Sequence, residues 1–218
     1  MDHPFVQFAA SRWLPEFKFT PIQIIAHLAA WIPAILIGID YFLDQWTFNP
    51  IQYLTFRTGW AAITLLTASL ACTPLNTYFN FREAVKLRRP LGVYAFLYAL
   101  VHFLIFVALD YNLNPSLIYD AIVDKKYALI GFGAFCILLP LALTSTKGWQ
   151  KRLGKNWKSL HRWAYVAGIF AVIHYIWLVK SDIRKPLVYA ALISLFLLAR
   201  TAPAKRLFSV IRSKIRSG

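Results

Sequence analysis

Four of the five histidines, His27, His102, His161 and His174, lie in or beside long apolar runs that hold almost no other ionisable side chain. Because an ionisable group is costly in hydrocarbon, such positions are functional candidates by default. His161 and His174 are 13 residues apart, a helical rise of about 20 Å, so one sits near a membrane face and the other deep toward the opposite face. His102 stands 13 residues beyond Arg89, about 20 Å in, and His174 stands 12 residues beyond Arg162, about 18 Å in. The two share a depth. Imidazoles at equal depth on different helices can ligate an iron from opposite faces of a planar macrocycle, which is how a helical bundle holds a low-spin b-type haem. Taken one at a time, each histidine reads equally well as a hydrogen-bond partner for a neighbouring helix.

Other chemistries fit this set less well. Zinc and copper sites add Cys or carboxylate ligands, and no Asp or Glu stands at the centre of an apolar run. A proton channel would add acidic relays, which are missing. Cys72 and Cys136 lie in apolar stretches, where each reads as a small hydrophobe, and the absence of C-x-x-C-H excludes covalent c-type haem. His161 needs a different partner from His174, because 13 residues rotate it roughly 140° around the helix. Fourteen positions before His102 stands Arg88, which can pair with a haem propionate but is no ordinary axial ligand. His27, six residues past Pro21 and about 9 Å in, is the remaining candidate partner for His161 in a second site. Phe96, Tyr98, Phe103, Phe106, Tyr165, Phe170, Tyr175 and Trp177 could wall a flat apolar slot, but at this spacing most of them read first as ordinary bundle packing or interfacial anchors.

The elements that must position these side chains are membrane spans. Of 218 residues, 59% are apolar or aromatic and only 15% are charged, against about 25% charged in soluble domains. That excludes an ordinary water-soluble fold, and 17% aromatics excludes disorder. Runs long enough for roughly 30 Å of hydrocarbon cover 22–39, 59–75, 91–109, 127–143, 163–179 and 187–199, predicting an all-α bundle of six transmembrane helices in one domain. The sixth is short and needs Pro186 and a snorkelling Arg200 to reach the interfaces. Thr20 as N-cap and Pro21 at the first helical position open the first, whose polar lead-in lacks the form of a cleavable signal.

Alternate loops then divide the basic residues 18 to 6. The basic side holds Arg12 and Lys18, the Arg82–Arg89 cluster, the Lys147–Arg162 cluster, and Arg200 through Arg216; the other holds Arg57, Lys125, Lys126, Lys180, Arg184 and Lys185 with six Asp. Both termini are therefore expected in the cytoplasm. The formal charge of +15 becomes the cytoplasmic collar of the bundle, attracted to anionic lipid, and nucleic-acid binding is the poorer reading. The basic segment 203–218 reads as an amphipathic tail on the inner leaflet, with Leu207, Phe208, Val210, Ile211 and Ile215 as its apolar contacts. No internal repeat is evident. Nor is there a Ser/His/Asp array, a phosphate-cradling Gly loop or a long soluble segment, so substrate chemistry is expected on a partner.

Several stretches carry a resemblance across most of the chain: RTG at 57–59, TP at 73–74, LRRPLGVYAFLYALVHF at 87–103, LALTST at 141–146, LGKNWKSLHRWAYV at 153–166 and IHYIWLVK at 173–180. In order and spacing they resemble the MsrQ family, haem-binding membrane subunits of the bacterial periplasmic protein-methionine-sulfoxide reductase system, within the ferric-reductase-like transmembrane superfamily. The resemblance implies a bacterial inner-membrane electron conduit with one or two b-type haems and FMN. Its haem histidines map onto His102, His161 and His174. Electrons would come from the quinone pool or a cytoplasmic flavin reductase and pass to a periplasmic molybdopterin methionine sulfoxide reductase. Two alternatives stand beside it. One is a ferric reductase or other cytochrome b of the superfamily; the other is a small transporter, whose expected interrupted helices and inverted repeats are not evident.

Overall fold

A computed structural model describes residues 19–45, 48–179, 182–206, 208 and 210. Arg12, Lys18, Lys180, Leu207 and 211–218 of the expected basic and tail positions lie outside the described residues. Nine α-helices are described: α1 Pro21–Phe42, α2 Pro50–Phe79, α3 Arg82–Ile105, α4 Pro115–Asp124, α5 Lys126–Leu143, α6 Lys147–Leu153, α7 Lys155–Leu160, α8 Ala164–Leu178 and α9 Arg184–Leu198. A π-helical turn, Phe106–Asp110, extends α3, and a 3₁₀ turn, His161–Trp163, leads into α8. No strand occurs among the described residues.

Each of the six apolar runs falls mainly on a helix, but among the described residues only α1, α2, α3 with its π turn, and α5 are long and apolar enough to cross a membrane. The 15 residues each of α8 and α9 rise only about 22 Å, short of a typical hydrocarbon core. The stretch 110–126, between the third and fourth apolar runs, is partly helical. Asn114 caps α4 by accepting from the backbone N–H groups of Ser116 (3.1 Å) and Leu117 (3.3 Å), with Pro115 at the first position. The capping residues of α1 are as predicted, Gln23 Oε1 accepting from the Thr20 backbone N–H at 3.0 Å.

The centre of the bundle is α2, which buries Thr58, Ala61, Ile63, Leu66, Leu70 and Cys72 among α3, α8, α9 and α1. The second close pair is α5 with α8. Helix α1 is peripheral, burying Ala30 and turning Ile24, Leu28, Trp31, Ile35 and Ile39 outward, as a lipid-facing helix does. Its attachment to α3 is specific. The Tyr98 hydroxyl donates to the Ala30 carbonyl (2.8 Å) and accepts from the Ala34 N–H (3.2 Å), inserting beside Pro33, where the helical ladder lacks a donor. Mid-helix hydroxyls of Thr55, Thr58, Thr64 and Thr67 bond carbonyls one turn back, so none presents an unpaired donor to hydrocarbon. At the end of α9, Arg200 lies over the Tyr165 ring (4.5 Å), and Phe208 meets Tyr78 edge-on at 4.7 Å, so that tail residue packs on α2.

Candidate functional site

His102 on α3 and His174 on α8 meet in the bundle, with ring centroids 6.1 Å apart and planes at 87°. Each ring is fixed from outside the pair. His102 Nδ1–H donates to the Thr55 carbonyl at 2.9 Å, and His174 Nδ1–H donates to the Tyr127 carbonyl at 2.7 Å. A carbonyl can only accept, so the proton is on Nδ1 in both, and both Nε2 lone pairs remain for a metal. Such an outer hydrogen bond is the usual means of fixing a ligand histidine's tautomer and raising its basicity.

The separation is informative. Two metal–imidazole bonds of about 2 Å, plus about 1 Å from each ligating nitrogen to its ring centre, span about 6 Å. Both rings are half-buried rather than sealed. Among the described residues no three of His, Cys, Asp and Glu converge as a metal-binding group. A site with two protein ligands and no third suits an iron whose remaining four ligands come from a macrocycle. A row of aromatic rings joins α3 to α5. Phe103 of α3 stacks on Phe135 of α5 at 4.8 Å and meets Phe132 at 5.6 Å, while Phe96 stacks on Phe135 at 5.8 Å. Phe106 continues the row at 6.3 Å from Phe103, and Tyr127 lies 6.2 Å from His174. The residues therefore fit a haem.

The other candidates go elsewhere. His161 stacks on Trp157 (4.0 Å, 25°), whose indole N–H donates to the Thr144 carbonyl at 3.0 Å. The Thr144 hydroxyl gives its one proton to the Pro140 carbonyl (2.6 Å) and so accepts from His161 Nε2–H at 3.1 Å. Burial, followed by the charges of Arg88 and Arg89, pushes His161 down to about 4 and keeps the ring neutral. The carbonyl of Arg88 accepts from Ser69 Oγ at 2.7 Å, which ties this end of α3 to α2. His27 shares a 3.0 Å hydrogen bond with the Tyr94 hydroxyl, beside a cleft of about 280 Å³ lined by Phe19, Ile24, His27, Leu28 and Tyr94. Its described partners are Phe19, just before α1, and Tyr94 on α3, and those of His161 are Thr144, which caps the end of α5, and Trp157 on α7, so the structure does not bring the two together. Of the aromatic residues singled out from the sequence, Tyr98 serves α1, Tyr165 faces Arg200, Tyr175 pairs with Tyr189 at 6.3 Å, and Trp177 points outward.

Sequence reasoning missed Thr55 and Tyr127, and with them a repeat. The two histidine–carbonyl bonds each span 47 residues, and both acceptors and both histidines are 72 residues apart. The α2–α3 pair and the α5–α8 pair thus supply the two rings in the same way. The reading of no internal repeat is corrected, the one legible signal being equal spacing of a few residues in otherwise different stretches.

At the start of α2, Arg57 Nη2 donates to Asp40 at 3.0 Å and Arg57 Nε to the Tyr53 hydroxyl at 2.8 Å, while Tyr53 also bonds Asp40. Asp182 is paired with Arg184 at 2.9 Å. Asp120 and Asp124 stand exposed on α4 beside exposed Leu117, Tyr119 and Val123.

Residues 58–172 match the family described as ferric reductase like transmembrane component. The chain is 39% identical over 181 residues to the protein-methionine-sulfoxide reductase heme-binding subunit MsrQ of Xanthomonas axonopodis pv. citri (strain 306), covering 80% of this chain and 83% of that protein. The MsrQ of Xanthomonas campestris pv. campestris (strain 8004) is 40% identical over 177 residues, covering 78% and 81%. That of Herminiimonas arsenicoxydans is 35% identical over 186 residues, covering 84% and 85%. With likeness of this extent, running through both histidine-bearing helix pairs, the chain belongs to the MsrQ family and carries its ferric-reductase-like transmembrane region.

Proposed function

We propose that this protein is a membrane b-type cytochrome holding one haem between His102 and His174. It passes electrons from the quinone pool or a cytoplasmic flavin donor to a periplasmic molybdopterin methionine sulfoxide reductase, for repair of oxidised proteins. The observation that carries the reading is the perpendicular imidazole pair, 6.1 Å between centres, with each Nδ1–H committed to a carbonyl. Bound there, a haem supplies a one-electron centre in a low-dielectric site. The chain's own part is to present two neutral ligands, hold their orientation and surround them with hydrocarbon. The relatives' role as heme-binding subunits of a methionine sulfoxide reductase supports both cofactor and partner. FMN enters only through the family resemblance.

The 18 to 6 division of basic residues supports six spans with both termini in the cytoplasm, in a bacterial inner membrane. His161 serves as a structural histidine, because its Nε2 is taken by Thr144, and Arg88 serves beside it at the cytoplasmic edge. The experiment is purification in detergent from haem-replete cells, with oxidised and dithionite-reduced spectra and a pyridine haemochrome assay. One haem per chain with a low-spin spectrum is expected; a colourless preparation overturns the reading.

A further inference from the structure

Each axial candidate rests against a glycine. A Cβ built on Gly59 would stand 3.0 Å from His102 Nδ1 and 3.1 Å from its Cε1; one on Gly131 would stand 2.6 Å and 2.8 Å from the same atoms of His174. Among the described glycines only these two face a histidine. Both follow the repeat. Gly59 lies one turn after Thr55 and Gly131 one turn after Tyr127, so on each side the carbonyl that accepts from the ring and the glycine beneath it lie on one helical face.

We propose that Gly59 and Gly131 are positioning residues for the axial imidazoles: lacking a Cβ, they let His102 and His174 settle onto the Thr55 and Tyr127 carbonyls with perpendicular ring planes. The inference rests on the haem reading above. Ordinary van der Waals contact begins near 3.4 Å, so an added methyl would require His102 to retreat by about 0.4 Å and His174 by about 0.8 Å. Retreat lengthens the Nδ1–H···O bonds on the far side from the metal, and loss of such outer support typically costs 10–100-fold in metal affinity. The ordering is therefore set: Gly131→Ala is the more damaging. A merely structural glycine, there to let two helices pack closely, predicts something different. Gly168 is such a case, its Cβ position meeting Leu70 at 3.2 Å and Ile193 at 3.3 Å with no histidine near.

The test uses the full chain in detergent as wild type, Gly59→Ala, Gly131→Ala and Gly168→Ala. Haemin titration of haem-depleted protein gives affinity, and electron paramagnetic resonance of the oxidised haem reports the angle between ligand planes. The proposal expects affinity weakened on the order of 10–100-fold, more at Gly131 than at Gly59, with an altered low-spin signal. Gly168→Ala should keep wild-type affinity and signal. Wild-type values in both histidine-facing variants, or an equal change in Gly168→Ala, overturn the proposal while leaving the haem reading intact; a wild type that takes up no haemin fails that reading instead. Where Gly59→Ala or Gly131→Ala does not accumulate, a second change, His102→Gly or His174→Gly respectively, removes the ring the methyl would strike. Recovered accumulation supports the contact, and continued failure overturns it.

Discussion

Tyr98→Phe removes a single oxygen and with it two bonds to the α1 backbone, one to the Ala30 carbonyl and one from the Ala34 N–H. Tyr98 is 9% exposed and Ala30 1%, so water cannot replace the hydroxyl without opening the helix pair. In a soluble core, losing the partner of a buried polar group would cost about 1–3 kcal/mol. Within membranes, hydrogen-bonded pairs have measured about 0.6 kcal/mol on average and up to about 1.7, because the dissociated helix finds other partners. Two such bonds give about 1–3 kcal/mol, placed where α1 joins α3. At about 2–4 °C per kcal/mol for a chain of this size, the thermal midpoint in detergent should fall by roughly 2–12 °C. Tyr94→Phe is the comparison: its described hydrogen bond goes to the side chain of His27, and no bond to helix backbone is lost, so its shift should be smaller. Equal midpoints for Tyr98→Phe and wild type would refute the idea that the hydroxyl splints α1 beside Pro33.

Reversing Asp120 and Asp124 to Lys on the exposed face of α4 should slow electron delivery to the periplasmic partner at low salt and have little effect at high salt; a rate unchanged at low salt removes these residues from the interface. His27→Ala should leave the haem-to-protein ratio at one, since its hydrogen bond is to Tyr94; a ratio of two falling to one would restore a His27–His161 site. The His161 ring is neutral in the fold but has an ordinary value of 6.5 when unfolded. Between 6.5 and about 4 the unfolded chain therefore binds a proton that the folded chain does not, and stability falls as pH drops through that window. His161→Gln should blunt that part of the acid sensitivity, and an identical pH profile in the variant would contradict the assignment.

Much of the bundle is legible in the sequence because a lipid-facing helix needs a continuous apolar run, and α1, α2, α3 and α5 each contain one. α4 escapes that reading, being ten residues with two Asp on its exposed face, recognisable only through Asn114 and Pro115. Depth along a helix is countable, so His102 and His174 could be matched from the basic residues that precede them. Direction around the bundle is not countable. His27 and His161 have roughly compatible depths, yet α1 packs on α3, while His161 bonds Thr144 at the end of α5. Gly59 and Gly131 were silent for a related reason: their function is a close approach of backbone to ring, which leaves no hydrophobic period. The repeat was hidden because its halves share geometry at a few points, as where Arg89 stands 72 residues before His161 and supplies no second imidazole.

On the proposed function, His102 and His174, and neither His161 nor His27, hold the haem iron. The most direct measurement is the oxidised and reduced spectrum, with haem per protein, of four purified variants: His102→Ala, His174→Ala, His161→Ala and His27→Ala. The first two should each lose the low-spin spectrum, leaving a high-spin or empty site, while the last two keep one haem per chain with the wild-type spectrum. A full low-spin spectrum in both His102→Ala and His174→Ala, or its loss in His161→Ala, would contradict the account.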